Sequence, residues 1–294
     1  MVTFYRRLPR FDYVKAVSFD DVLKLLGNGG GKTCKVYAGG TDLIPKLKER
    51  VIGVPDLLID LKGIPNLDYI EYGEEGVLKI GALATVSSVA HSRLVKEKFG
   101  ILAQAARSIA STQVQNRGTI VGNICNAVPS ADSAPALLCL GAEVVCVSNR
   151  GERSISIDEF FKGPNQTALG PDEVVKEIRV PQMAGGGKGV YLKLSPRSKM
   201  DLAVVGVAAV AVMEEGKYKD VRLALGAVAP TPVRAKRAEE MLLGKGAAEK
   251  VVQKAAKMAS EEARPIDDHR ASAQYRKMMV EVLVKRAVQG LYPN

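Results

Sequence analysis

Residues 116–137 read NRGTIVGNICNAVPSADSAPAL, and the fold depends on what this stretch does. Gly118, Gly122, Asn123, Asn126, Pro129, Ser130, Asp132 and Pro135 have little intrinsic value in a helix or a strand. Apolar Ile120, Val121, Ile124 and Val128 are interleaved with them. The pattern predicts an ordered loop held inside the protein, where every polar group needs a partner. A bound ligand rich in hydrogen-bond acceptors would supply partners. A loop that satisfies itself would do so equally, and at this level both readings stand.

A second glycine segment lies upstream, VYAGGTDL at 36–43. A strand is expected at 34–38 and a helix from Pro45, since proline is tolerated in a first helical turn. Glycines between a strand and a helix let backbone N–H groups approach a phosphate. A tight strand-to-helix turn would use the same residues. Before it, Ser18 as N-cap and Asp21 at the third helical position predict a short helix that ends at Gly27. GNGGG at 27–31 then reads as a flexible turn, and this first unit closes near Asp60. Between the two glycine segments a strand is expected at 77–80 and helices at about 87–98 and 101–111. After the second come a hairpin over 142–157 turning at Asn149, Arg150 and Gly151, and a strand over 174–180.

PQMAGGG at 181–187 is the best boundary in the chain. Three strand-like runs follow, at 189–194, 202–213 and 221–228, and then three helical segments, at about 233–243, 247–263 and 272–290. Lys250, Lys254 and Lys257 share one face of the middle helix, with Val251, Val252 and Ala255 on the other, which is amphipathic packing. Three strands followed by three helices read as a separate α+β domain.

With 294 residues, nearly half of them hydrophobic and a quarter charged, the chain suits two or three globular domains. Its longest apolar stretch, 202–213, is too short to span a bilayer, and the N-terminus lacks the apolar core of a secretory signal. Cys34, Cys125, Cys139 and Cys146 are scattered, so free thiols in a reducing cytoplasm are expected. The formal charge of +10 argues weakly for nucleic acid, because there is no Trp and the basic residues alternate with acidic ones. A solvated face or a docking surface for an acidic subunit fits better. Catalytic constellations are absent. His91 and His269 read as surface histidines, no zinc set, nucleophile elbow or P-loop is present, and Asp267-Asp268 sit in a charged loop where solvation explains them.

Taken together, the glycine segments resemble the flavin-binding fingerprints of the molybdenum hydroxylase flavoproteins. This family comprises the FAD subunits of xanthine dehydrogenases and the medium subunits of aerobic carbon monoxide dehydrogenases. Its A-G-G-T/H-x-L motif matches Ala38 through Leu43. Its T-x-G-G-N motif matches Thr119, Ile120, Val121, Gly122 and Asn123, and N-A-S-P-x-A-D-x-x-P matches the run from Asn126 through Asp132 to Pro135. GERSISIDEFFKGPNQTALGPDEVVKEIRVP and YLKLSPRSKMDLAVVGVA resemble later family segments, so the likeness covers nearly the whole chain in order.

The resemblance implies an α+β protein. A two-part FAD-binding module of the vanillyl-alcohol-oxidase-like type (1–60 and 61–181) would be followed by a C-terminal α+β domain at 182–294, with a three-stranded antiparallel sheet and three helices. It implies one non-covalent FAD. Val36, Tyr37, Ala38, Gly39, Gly40, Thr41, Asp42 and Leu43 would wrap the pyrophosphate, and Thr119, Ile120, Val121, Gly122 and Asn123 would form the second wall. Asp132 would hold a polar group of the FAD, Lys193 would lie near the flavin, and Ile109 and Val175 would line it. Val121 departs from the family glycine, and a side chain there is expected to push the backbone from the ligand or to demand another φ/ψ. No cysteine-rich insertion is present, so no 4Fe–4S cluster is expected in this chain. The implied role is electron transfer within a heterotrimer. A large molybdenum-cofactor subunit and a small 2Fe–2S subunit would supply electrons, and an external acceptor would take them. A stand-alone FAD oxidoreductase and a non-catalytic assembly protein are the rival readings.

Overall fold

The computed structural model describes residues 7–27, 31–197 and 200–292, so the middle of the glycine turn at 27–31 lies outside the described residues. The first unit is built on a three-stranded parallel sheet, with Leu57–Asp60 between Asp12–Lys15 and Cys34–Tyr37. The apolar central strand is buried along its whole length, as a parallel strand covered on both faces must be. The sequence predicts neither Asp12–Lys15 nor Leu57–Asp60, because runs of four residues carry almost no periodic signal. The helix Phe19–Gly27 starts as expected, with the Asp21 N–H donating to Ser18 Oγ at 3.1 Å. The Asp21 carboxylate reaches back to the Val17 N–H at 3.2 Å.

The second unit is a five-stranded antiparallel sheet in the order Ile70–Tyr72, Val77–Gly81, Val174–Pro181, Glu143–Ser148, Gly151–Ser156. The hairpin and the strand after it lie where the alternation puts them. The expected helix at 87–98 is broken into Val86–His91 and Arg93–Lys98, because the Ser92 side chain caps the Val95 N–H and restarts the helix. Gly100–Arg107 is the next helix.

The 116–137 stretch is not mainly loop. It contains the helix Ile120–Cys125, capped by Thr119, whose Oγ1 accepts from the Gly122 N–H at 2.9 Å, and it runs into the helix Ser133–Leu140. Tertiary burial outweighs weak propensity here: every residue of Ser133–Leu140 is buried.

The C-terminal sheet has four antiparallel strands, not three: Lys188–Leu194, Val205–Glu214, Lys217–Gly226 and the two-residue Val233–Arg234. The last strand lies where the sequence predicts the start of a helix, and the helix begins after it. The three helices are Lys236–Leu242, Glu249–Glu262 and Ala273–Leu291. Lys250, Lys254 and Lys257 are exposed, with Val252 and Ala255 buried opposite. Asp268 is not merely solvated. It accepts from the buried Arg276 at 2.7 Å and from Arg270 at 2.6 Å, which fixes the loop before the last helix. Arg276 also donates to the Val204 and Ala227 carbonyls at 2.9 Å beside the sheet. Among the described residues, no helix is long and apolar enough to cross a membrane.

Candidate functional site

The first glycine segment leaves the carboxyl end of Cys34–Tyr37, the usual ligand-facing end of parallel strands. It is folded onto the second segment at backbone distance. A Cβ on Gly39 would lie 2.0 Å from the Arg117 carbonyl oxygen and 2.8 Å from Gly118 Cα. Gly40 has φ +75°, and a Cβ there would collide with the Tyr37 ring. The glycines therefore serve contact between the two loops as well as any ligand. Asp42 accepts from the Asn126 amide at 2.8 Å, and Lys46 donates to the side-chain oxygens of Asn126 at 2.6 Å and Asn165 at 2.9 Å. Among the described residues the N–H groups of Gly39, Gly40 and Thr41 donate to no protein acceptor. Three donors on one turn, left open where two loops meet, are suited to an anionic group.

The second wall is the capped helix turn. The Ile120 N–H donates to the Ala84 carbonyl at 3.3 Å, and Thr119 forms an isolated antiparallel bridge with Thr85. Asn123 accepts from Ser133 Oγ at 2.6 Å, which links this helix to the next. Val121 sits within the helix Ile120–Cys125 and is buried, and it is not among the residues with positive φ. A side chain is therefore accommodated in ordinary right-handed backbone, so the special φ/ψ expected for it is not needed. Gly122 is the position that needs to be small, since a Cβ there would lie 2.9 Å from Thr119 Oγ1.

The third element is a buried charge cluster. Asp132, 6% exposed, accepts from the Lys193 ammonium at 2.8 Å and from the Tyr191 hydroxyl at 2.7 Å. Lys193, its side chain 12% exposed, also donates to the Ser108 carbonyl at 2.9 Å. Burial pushes the Asp132 carboxyl above its ordinary value, and Lys193 and Tyr191 pull it back. Burial and the carboxylate together push the Tyr191 phenol well above its own. The cluster joins the strand Lys188–Leu194 to Ser108 and Asp132 of the preceding unit, and both Asp132 oxygens are engaged within the protein.

The structure thus brings together Ala38, Gly39, Gly40, Thr41 and Asp42 with the Arg117-to-Asn126 loop, and Asp132 with Lys193. Val36 and Tyr37 belong to the strand that leads in, and Leu43 opens the helix Leu43–Glu49. Ile109 and Val175 are buried in the same hydrophobic cluster as Ile120 and Val121. Sequence reasoning missed Tyr191, Ser108, Asn165 and Lys46, and also Asp60 and Lys62 beneath the first glycine turn. Only for Asp60 and Lys62 was a signal present, a charged residue ending an apolar run and a second one two positions on.

Comparison with known proteins gives this geometry its context. Residues 9–183 match the family described as FAD binding domain in molybdopterin dehydrogenase. Residues 190–291 match the CO dehydrogenase flavoprotein C-terminal domain. The chain is 37% identical over 279 residues to the glyceraldehyde dehydrogenase medium chain of Sulfolobus acidocaldarius, covering 95% of this chain and 97% of that one. It is 37% identical over 285 residues to the carbon monoxide dehydrogenase medium chain of Hydrogenophaga pseudoflava, covering 97% and 98%. The solved structure of the Hydrogenophaga pseudoflava enzyme lacking the Mo-pyranopterin moiety superposes with a TM-score of 0.93 over 97% of this chain and 98% of that chain, at 37% identity. Quinoline 2-oxidoreductase from Pseudomonas putida 86 gives 0.90 at 29% identity, over 97% and 98%. The chain belongs to the family of FAD-binding flavoprotein subunits of the molybdopterin dehydrogenases.

Proposed function

We propose that the chain is the electron-transfer subunit of a heteromeric molybdenum hydroxylase or dehydrogenase, positioned between a small 2Fe–2S subunit and an external acceptor. A large molybdenum-cofactor subunit would act on the substrate. The observation that carries the reading is the open N–H turn of Gly39, Gly40 and Thr41, set against the Arg117–Gly118 backbone within a family that binds FAD. The residues present fit a dinucleotide. Gly39 to Asp42 and Thr119 to Asn123 would hold the diphosphate, while Lys193, held by Asp132, would supply a fixed positive charge beside the ring system. When bound, FAD supplies the redox chemistry, accepting electrons singly or in pairs. The protein's own part is to bind and orient it, exclude water from the Asp132–Lys193 cluster and hold that charge in place. No residue need act as an acid or base on an organic substrate. We take residues 1–60 and 61–181 as the two halves of a vanillyl-alcohol-oxidase-like FAD module, closed by 182–294. The formal charge of +10 suits docking to an acidic partner, and four free thiols suit a cytoplasmic location.

Purification from the native source tests this. Acid precipitation of the complex should release one yellow FAD per chain into the supernatant, and molybdenum and iron should co-purify on two other chains. Flavin retained on the denatured chain, or FMN in its place, would overturn the cofactor reading. A lone active monomer free of molybdenum and iron would favour a stand-alone oxidoreductase.

A further inference from the structure

Beneath the first glycine turn lies a charged network that the family motifs do not include. Leu57–Asp60 and Cys34–Tyr37 run parallel with Tyr37 beside Asp60, so both strands end at the same level. The chain after Asp60 turns at once into the short 3-10 helix Leu61–Gly63. Asp60, its side chain 2% exposed, caps that turn by accepting from the Lys62 N–H at 2.9 Å, and it also accepts from the Tyr13 hydroxyl. The turn brings the Lys62 side chain back over the strand ends. Its ammonium lies 2.8 Å from Asp60 Oδ1, 3.0 Å from the carbonyl oxygen of Ala38 and 3.6 Å from the centroid of the Tyr37 ring.

These three contacts bear on the turn directly. Ala38 is its first residue, and a carbonyl fixed on Lys62 points away from the side where the Gly39 N–H, on the same peptide plane, is free. The Tyr37 ring held under the ammonium is the same ring a Cβ on Gly40 would strike, so the ring position and the positive φ of Gly40 are set together. Asp60 in turn fixes Lys62, being nearly buried and bonded from three sides. From this geometry we infer that Lys62, oriented by Asp60, is the positioning residue that presents the Gly39–Gly40–Thr41 N–H groups to the diphosphate of the dinucleotide. It acts through the Ala38 carbonyl and the Tyr37 ring and does not need to touch the ligand. The inference rests on the FAD reading and adds to it the part of the ligand that Lys62 controls.

The test uses the full chain stripped of flavin, with FAD and ADP as probes, ADP carrying the diphosphate without the ring system. Lys62→Met should raise the dissociation constants of both roughly tenfold, the ratio expected for one charge-assisted contact weakened by partial exposure. Lys62→Arg should restore most of the loss. Lys62→Gln, which keeps a neutral N–H for the Ala38 carbonyl, should fall between, so the series remains readable if one variant melts early. Lys162→Met, at an exposed site, should bind as the wild type does. A Lys62→Met chain that binds FAD and ADP as tightly as the wild type overturns the inference, as does a loss that Lys62→Arg leaves unrelieved. A wild-type chain that binds neither probe would overturn the FAD reading itself.

Discussion

Lys193 is tied twice at the residue scale, to Asp132 and to the Ser108 carbonyl, and both ties are nearly dry. Removing it has two separable effects. Lys193→Ala should weaken FAD binding by roughly one to two powers of ten, the worth of a charge-assisted hydrogen bond. It should also destabilise the fold by about 3 kcal/mol, because Asp132 is left buried without its cation. Adding Asp132→Asn should restore the melting temperature but not the FAD affinity, and recovery of both together would show that Lys193 acts only structurally. Lys188→Ala should change neither, since Lys188 is exposed over the Tyr292 ring at 4.8 Å. The Asp268 cluster gives a pH signature. Hydrogen bonds from Arg270, with a further contribution from Arg276, hold its carboxyl well below the usual carboxylate range. A depressed acid contributes its full stability above its unfolded value, about 3.9, and loses it as the pH falls from there toward the folded value. Asp268→Asn should therefore cost about 3 kcal/mol near pH 7 by leaving Arg276 uncompensated. It should also flatten the fall in stability below about pH 4. Urea unfolding from pH 3 to 7 reads both, and parallel wild-type and mutant curves would remove Asp268 from this role.

At the scale of elements, the two glycine segments are a turn and a capped helix pressed together at backbone distance. Gly39→Ala should separate them, since the atoms it meets are the carbonyl oxygen of Arg117 and Gly118 Cα, which have no rotamer to change. Loss of FAD binding with a lower melting temperature is expected. Val121→Gly, which restores the family residue, should lower stability by about 2 kcal/mol through lost burial and helix propensity and leave FAD affinity within about twofold. A large gain in affinity would show that Val121 does displace the ligand wall. The contrast shows how much of the site was legible. Gly40, Thr119 and Gly122 could be read because their reason for being small or capping is local, whereas the backbone that Gly39 clears belongs to the distant second segment and only the glycine pair itself marked it. The hairpin and the helices at 247–263 and 272–290 could be read because periodicity marks them. The helix Ile120–Cys125 could not, because its stability comes from burial by distant parts of the chain. The split at Ser92 was equally hidden, for one capping serine inside an apolar pattern is a weak signal. Lys46 meeting Asn165 and Lys62 meeting Ala38 are contacts across long sequence separations that no motif spacing records.

The whole molecule holds together through the C-terminal sheet, which is apolar on both faces. Val205, Val207, Ala209 and Ala211 face the core shared with the last three helices, as do Leu223 and Leu225. Tyr191, Ala208, Val210 and Ala224 belong to the core of the preceding module. This explains the unbroken apolar run at 202–213, since a strand covered on both sides has no reason to alternate. It also means that the helices Gly100–Arg107 and Ser133–Leu140 lie between two parts of the chain. The helix Ser133–Leu140 is buried on all sides only because the sheet covers it. A chain ending at residue 187 would lose that cover and Lys193 with it, leaving Asp132 without its cation and a contiguous apolar face in water. Such a fragment should aggregate on expression and fail to retain FAD, measured by size-exclusion chromatography and by flavin absorbance of the soluble fraction. Co-expression with residues 188–294 as a separate chain should recover soluble material, because the two surfaces are complementary and Lys193 would again meet Asp132. A monomeric fragment 1–187 that binds FAD with wild-type affinity would show that the C-terminal domain is an appendage and that the Asp132–Lys193 cluster plays no part in closing the site.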